Sequence, residues 1–235
     1  MFTMSKKEEI KGRLADVEAI ATDYDRTLTD LGLNLHLDTI RAIDKASEAG
    51  IKIIIVSGRG LPFMLNMSSR FSRVDAMVAE NGAVVVEDGS VEKLSETLGK
   101  KIARRLKEKH VHFVMGQVIS YIQKGYMDEA ETAVSEMSDI AKLVRNIDSG
   151  MVLPSDVDKD IGLQHALNKL GIDAGRTVVV GDGENDISLY RAPFLKAALS
   201  NSVEEIRKRA DLTIDSPGGE GVSKLVETIL ESRKV

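Results

Sequence analysis

Asp23 and Asp25 stand two residues apart in Asp23-Tyr24-Asp25-Arg26-Thr27-Leu28-Thr29, just after an apolar lead-in from Val17 to Ala21. That lead-in predicts a short buried strand. Carboxylates two residues apart point the same way while a strand persists. Where the strand ends, they can converge on one point outside the sheet. Like charges that close repel and raise one pKa unless a cation lies between them. The pattern therefore suits a metal site, an acid/base pair, or both. Asp and Thr also make turns and helix caps, so the stretch by itself leaves that plainer reading open.

A second acidic loop lies far downstream. Thr177-Val178-Val179-Val180 is a β-branched run of the kind found in buried parallel strands, and it leads into Gly181-Asp182-Gly183-Glu184-Asn185-Asp186. Open α/β sheets bind ligands at the carboxyl ends of their strands, where two such loops can meet. The oxygen-rich set suits Mg²⁺. The chain has no cysteine and none of its 4 histidines lies in these loops, which argues against zinc or a soft metal.

Two further elements carry weaker signals. The run Ile51 to Val56 predicts another buried strand, ending in Ser57-Gly58-Arg59-Gly60. A hydroxyl beside free N–H groups at a strand-to-helix junction can cradle phosphate, although a turn or cap explains it as well. Lys159 precedes an amphipathic pattern of Ile161, Leu163, Ala166, Leu167 and Leu170. Alone, it reads as a solvated charge.

Taken in order, Asp23/Asp25/Thr27, Ser57, Lys159 and Asp182/Asn185/Asp186 resemble the motifs of the haloacid dehalogenase-like (HAD) phosphatases. The resemblance spans nearly the whole chain after a short amino-terminal extension. The Glu80-Asn81-Gly82-Ala83 turn and the Gly-Asp-Gly-Glu-Asn-Asp-Ile form look like the subgroup with a cap inserted between the second and third motifs. Within it, the chain looks like the archaeal phosphoglycolate phosphatases of the sucrose-phosphate-phosphatase-like branch. Two departures stand out: Arg26 and Asp160 occupy positions where the family usually has glycine.

The resemblance implies an α/β fold, a doubly wound, Rossmann-like parallel-sheet core made of 1–82 and 156–235, and an α+β cap over 83–155. It also implies a Mg²⁺-dependent phosphatase. Asp23 would be the nucleophile and Asp25 the acid/base. Asp23, the main-chain oxygen of Asp25, Asp182 and Asp186 would hold the metal. Ser57 and Lys159 would hold phosphate, with Thr27 and Asn185 ordering the loops beside the substrate. A small lid favours a compact ligand, foremost 2-phosphoglycolate, whose carboxylate needs a cationic or N–H partner; Arg59, Lys124 and Arg26 are the candidates. Phosphosugar phosphatases and HAD phosphomutases share the chemistry. A phospho-receiver fits poorly, because it needs adjacent acids after its first strand.

Composition agrees with an enzyme of small metabolites. The 235 residues suit one large or two modest domains, with a formal net charge of -5 and interspersed signs. That leaves no basic face for nucleic acid or anionic lipid. No apolar run approaches the roughly 18 residues of a membrane span. Met1 to Asp16 is charged, without the apolar centre of a signal peptide, and reads as a helix or frayed arm; Met4 is an alternative start. These features lead us to expect a cytoplasmic protein, monomer or homodimer, without disulfides.

The elements needed to position the motifs follow from periodicity. Strands are expected at 17–23, 51–56 and 75–79 with helices at 36–49 and 61–71. In the insert a strand at 84–86, a helix at 92–109, an antiparallel strand pair at 112–115 and 118–122, a helix at 127–142 and strands near 143–147 and 151–153 are expected. Helices at 160–170, 185–191, 202–210 and 220–232 then alternate with strands at 177–181, 195–199 and 211–214. His110 and His112 read as ordinary packing or surface residues, and Met64, Met67 and Met115 as core filler.

Overall fold

The computed structural model describes residues 6–146 and 149–234. Its first half runs α1 (Lys6–Ala15), β1 (Ala19–Thr22), α2 (Leu37–Glu48), β2 (Lys52–Val56), α3 (Leu61–Ser68), β3 (Ala76–Ala79), β4 (Val84–Glu87) and β5 (Ser90–Lys93). There follow α4 (Glu96–Glu108), β6 (Phe113–Met115), β7 (Ser120–Gln123), α5 (Met127–Ser135), β8 (Ala141–Asn146) and β9 (Ser149–Pro154). The chain ends with α6 (Lys159–Leu170), β10 (Thr177–Gly181), β11 (Leu195–Leu199), α7 (Glu204–Arg209), β12 (Leu212–Ile214) and α8 (Gly218–Ser232). The alternative start at Met4 lies outside the described residues.

One sheet has eight strands in the order β12-β11-β10-β1-β2-β3-β4-β5, parallel from β12 to β3. Its central strands β10, β1, β2 and β3 are covered on both faces, and alternate residues go to opposite sides. Ile20, Ile53, Ile55, Val178 and Val180 pack with Ile43 of α2 and with Val222, Leu225 and Ile229 of α8. Ala19, Ala21, Ile54, Val56 and Val179 pack with Leu163 and Leu167 of α6 and Ile206 of α7. Continuous apolar runs are what this double burial requires, which is why these strands were legible.

The rest of the insert forms a second, antiparallel sheet, β6-β7-β9-β8. Ile102 and Leu106 of α4 and Ala130, Ala133 and Val134 of α5 close a core against Ile122 and Val152 of that sheet.

The insert starts later than expected at 83. β4 and β5 pair antiparallel with β3 and belong to the large sheet. Asn81 (φ 55°) and Gly82 (φ 105°) reverse the chain between β3 and β4. A side chain at Gly82 would meet the Asp158 carbonyl oxygen at 1.9 Å, so glycine is required there. The change of direction alters the rhythm, yet Val84–Val86 stay buried on both faces.

Three expected helices are also shorter. Val91 pairs with Val86 in β5, so α4 begins only at Glu96. α5 ends at Ser135, because Ala141 pairs with Pro154 in β8. The expected helix at 185–191 is a single 3₁₀ turn, Glu184–Asp186, followed by turns. Met64 and Met67 are in the core, but Met115 is exposed on β6. His112 stacks on Tyr126 with ring centroids 4.6 Å apart. Among the described residues no helix is long and apolar enough to cross a membrane.

Candidate active site

β1 and β10 lie side by side, with Thr22 opposite Val180. The two acidic loops therefore leave the same end of the sheet from neighbouring strands. The Asp23 N–H donates to the Val180 carbonyl at 2.9 Å, carrying the ladder one residue past β1. Carboxylate oxygens of Asp23, Asp182 and Asp186 lie within 4.8 Å of one another. Lys159, the first residue of α6, is fully buried and points its Nζ to Asp23 Oδ1 at 2.6 Å and Asp186 Oδ1 at 2.5 Å.

The electrostatics follow from this crowding. Burial opposes the charge on Lys159, but the Asp186 and Asp23 carboxylates outweigh it and hold the ammonium protonated above its usual range. Burial first, and then Asp186, push the Asp23 carboxyl well up, with Lys159 opposing. The same two causes push Asp182 up to about 6. Three carboxylates against one ammonium leave two negative charges when all are ionised (−3 + 1 = −2). The donors are hard oxygens, so a divalent cation fits both the charge and the chemistry of the set.

The downstream loop is folded around Asp186. Its Oδ2 accepts from the Asp182 N–H at 3.1 Å and the Gly183 N–H at 3.0 Å. A Cβ on Gly181 would lie 2.6 Å from Asp186 Cγ, so only glycine lets this carboxylate fold back on the strand end. Thr27 is fully buried and donates to Asp182 Oδ1 at 3.3 Å. It orders the Asp182 carboxylate from below and is not part of the cleft wall.

A cleft of about 910 Å³ opens over the cluster. Asp23, Asp25, Asp182 and Asn185 line it. Ser57 follows β2, the other neighbour of β1, and accepts the Arg59 N–H at 3.2 Å. It is buried beneath Gly58 and Arg59, which form the wall. Asp25 stands apart from the other carboxylates: Arg59 grips it with Nε–Oδ2 and Nη2–Oδ1 bonds, both 2.8 Å. Arg59 also lies over the Phe63 ring, 4.9 Å from its centroid. The second sheet contributes Tyr121 and Met151, cross-strand partners on β7 and β9. Tyr121 donates its hydroxyl to the Gly58 carbonyl at 3.1 Å.

The sequence profile of the haloacid dehalogenase-like hydrolases matches residues 20–150 and 117–226. The chain belongs to this family. Similar to this hydrolase is phosphoglycolate phosphatase of Archaeoglobus fulgidus, 30% identical over 223 residues, covering 89% of this chain and 96% of that one. Phosphoglycolate phosphatase 2 of Saccharolobus solfataricus is 28% identical over 218 residues, covering 90% and 91%. Among solved structures, Thermoplasma acidophilum protein 0175 superposes with a TM-score of 0.78 at 20% identity, covering 91% of this chain and 98% of that one. A HAD subclass IIB sugar phosphatase does so with a TM-score of 0.71 at 20% identity, covering 90% and 98%. At these identities the structures establish the fold.

The contacts of three further residues around this hydrolase's site were not apparent from sequence. Asn201, after β11, donates to the Arg26 carbonyl at 3.0 Å and to Asp182 Oδ2 at 3.4 Å, and accepts the Gly218 N–H at 2.9 Å. Tyr190 is buried and braces the end of β10, donating to Ala197 O at 2.6 Å while accepting the Gly181 N–H at 3.0 Å. Glu80 is fully buried and accepts N–H bonds from Gln117, Val118 and Ile119. Nothing local separates Asn201 or Tyr190 from ordinary residues. The acidic residue opening the Glu80-Asn81-Gly82 turn was visible, but its partners lie beyond 35 residues away.

Proposed function

We propose that this hydrolase is a Mg²⁺-dependent phosphatase acting on a small phosphate monoester, foremost 2-phosphoglycolate, which it converts to glycolate and phosphate. The observation that carries this reading is the Lys159 ammonium held between Asp23 and Asp186 at the mouth of the sheet. A buried lysine there fixes Asp23 at the cleft floor and offsets its charge as a phosphate dianion approaches.

In this reading a carboxylate oxygen of Asp23 attacks phosphorus, and the bond to the substrate's alcohol oxygen breaks. Asp25 gives that oxygen a proton. It then takes a proton from water, which attacks phosphorus and frees Asp23 from the aspartyl-phosphate. Asp25 suits the role because its carboxyl lines the same cleft as Asp23. Ser57 and Lys159 hold phosphate oxygens, and Asn185 and Thr27 order the loop around them. Mg²⁺ would be held by Asp23, Asp182, Asp186 and the main-chain oxygen of Asp25, and would supply positive charge that offsets the repulsion between a carboxylate and a phosphate dianion.

The segment between β5 and α6 acts as the cap that selects the substrate, through Tyr121 and Met151. The names of the archaeal relatives support 2-phosphoglycolate. The cleft favours a second reading, a phosphosugar phosphatase, because about 910 Å³ exceeds what a two-carbon phosphate fills. The test is phosphate release from 2-phosphoglycolate, phosphosugars and an aryl phosphate, with Mg²⁺ and with chelator. Metal-dependent release that favours 2-phosphoglycolate supports the first reading. A sugar preference selects the second, and no release from any of them sinks both.

A further inference from the structure

Arg26 departs from the glycine expected at its position, yet it keeps the backbone conformation that favours glycine, with φ 59°. An L-residue there is strained, and such strain persists only where the surroundings impose it. The surroundings do so here. The Arg26 N–H donates to Thr29 Oγ1 at 2.7 Å, and its carbonyl accepts from Asn201 at 3.0 Å. The next N–H, that of Thr27, is bonded to the Tyr24 carbonyl. Glycine would meet all these bonds without strain, so the loop itself gains nothing from the arginine.

The side chain is what differs. Arg26 is half-buried and lines the cleft between Asp25 and Leu31. Among the described residues, no carboxylate lies within ion-pairing distance of its guanidinium; its field reaches Asp182 only as a weak through-space effect. The other cation of the wall, Arg59, is committed to Asp25 by two hydrogen bonds of 2.8 Å. Lys124 lies in the turn after β7, outside the wall. The second sheet brings only Tyr121 and Met151, neither charged. Among the described residues the cleft wall thus has one cation without a carboxylate partner, Arg26, and it comes from the nucleophile's own loop.

We infer that Arg26 is a specificity-determining residue that binds a second anionic group, a carboxylate, on the organic part of the phosphomonoester. This rests on the phosphatase reading above and adds which chemical class the site prefers. A guanidinium presents a planar fork that a carboxylate can fill bidentately, which an isolated ammonium cannot. Placed three residues after the nucleophile, it would draw the carboxylate toward the Asp182 side of the cleft and leave the phosphate over Asp23. A phosphate ester with an uncharged tail would leave the guanidinium in water.

The experiment compares kcat/KM for 2-phosphoglycolate and for ethyl phosphate, similar in size but uncharged at the tail, in the wild type, Arg26→Gly and Arg26→Lys. The expected result is a ratio favouring 2-phosphoglycolate in the wild type that falls about ten- to a hundredfold in Arg26→Gly, the range of a charge-assisted pair. In Arg26→Lys it falls less, because the charge stays and the fork is lost. The loss should appear in KM for 2-phosphoglycolate, and Arg26→Gly should melt no lower than the wild type, since strain is relieved. An equal loss on both esters, an unchanged ratio, or a wild type without preference would overturn the inference and leave the phosphatase reading standing. No phosphate from either ester in the wild type would overturn that reading, and this inference with it.

Discussion

Lys159 Nζ lies 2.6 Å from Asp23 Oδ1, although 136 residues separate the two in the chain. The contact exists because α6 starts where β1 ends, and both residues are buried at that junction. Desolvating an ammonium is costly, and here two carboxylates compensate for it.

Replacing Lys159 with Met keeps the volume and removes the charge. Among the described residues the three crowded carboxylates then have no cation in ion-pair contact. The metal-free variant should lose about 3–5 kcal/mol, the usual effect of breaking a buried pair from one side. For a chain of this size that is a drop of roughly 6–20 °C in melting temperature. Divalent cation should recover part of it, while phosphate release stays down by at least about a hundredfold. A variant with full stability and full turnover would show that the pair is incidental.

Asp23→Asn leaves the shape of the site and removes the proposed nucleophile. Turnover should fall by about four orders of magnitude or more, with circular dichroism and melting close to the wild type. In the wild type, mass spectrometry after rapid quenching should find the added phosphoryl group on the peptide containing Asp23. Turnover retained in the variant would move the chemistry elsewhere.

Asp182 gives the proposed metal site a pH dependence. Its carboxyl is pushed up to about 6 by burial and then by Asp186, against about 3.9 in an unfolded chain. A raised carboxyl binds protons better in the folded state, so its contribution is present at low pH and is lost as pH rises from about 4 to 6. Asp23 is raised by the same causes and acts in the same direction. The metal-free protein should therefore lose stability over that window. A divalent cation competes with those protons and replaces their effect. The Mg²⁺-induced rise in melting temperature should be small at pH 5 and larger at pH 7.5, as read by thermal melts at both values. An equal rise at both would remove these carboxylates as ligands.

The legible part of this site was the part written beside strands. Asp23, Asp182 and Asp186 each follow a run buried on both faces, and the pairing of β1 with β10 turns two distant loops into one cluster. Lys159 had only a helix start to mark it, and its meaning came from the order of the motifs. The partnership of Asp25 with Arg59 was not legible, because Arg59 read only as a partner for substrate. The late start of the insert was missed for a different reason. β4 and β5 reverse direction, so the alternation of strand and helix stops while the sheet continues. Asn201 and Tyr190 act through single polar contacts between segments, and periodicity carries no trace of these.

Glu80 joins the two sheets through one carboxylate. Gln117 N–H reaches its Oε1 at 2.6 Å, and the N–H groups of Val118 and Ile119 reach its Oε2 at 2.9 and 3.1 Å. Its own N–H donates to the Arg59 carbonyl at 2.9 Å, so the clasp ties the wall of the cleft to the loop before β7. A Cβ on Gly116 would lie 2.6 Å from a Glu80 oxygen, which explains the glycine that closes the loop over the carboxylate. Glu80→Ala leaves three N–H donors, two of them buried, without their acceptor and should cost about 2–4 kcal/mol. Because Tyr121 follows the clasped loop directly, the variant should raise KM more than it lowers kcat. Hydrogen exchange should quicken at residues 117–121 and stay slow in β1 and β10. Glu80→Gln keeps an acceptor and should fall between the two. Uniformly faster exchange across the chain would mean that Glu80 supports the whole fold and not the clasp.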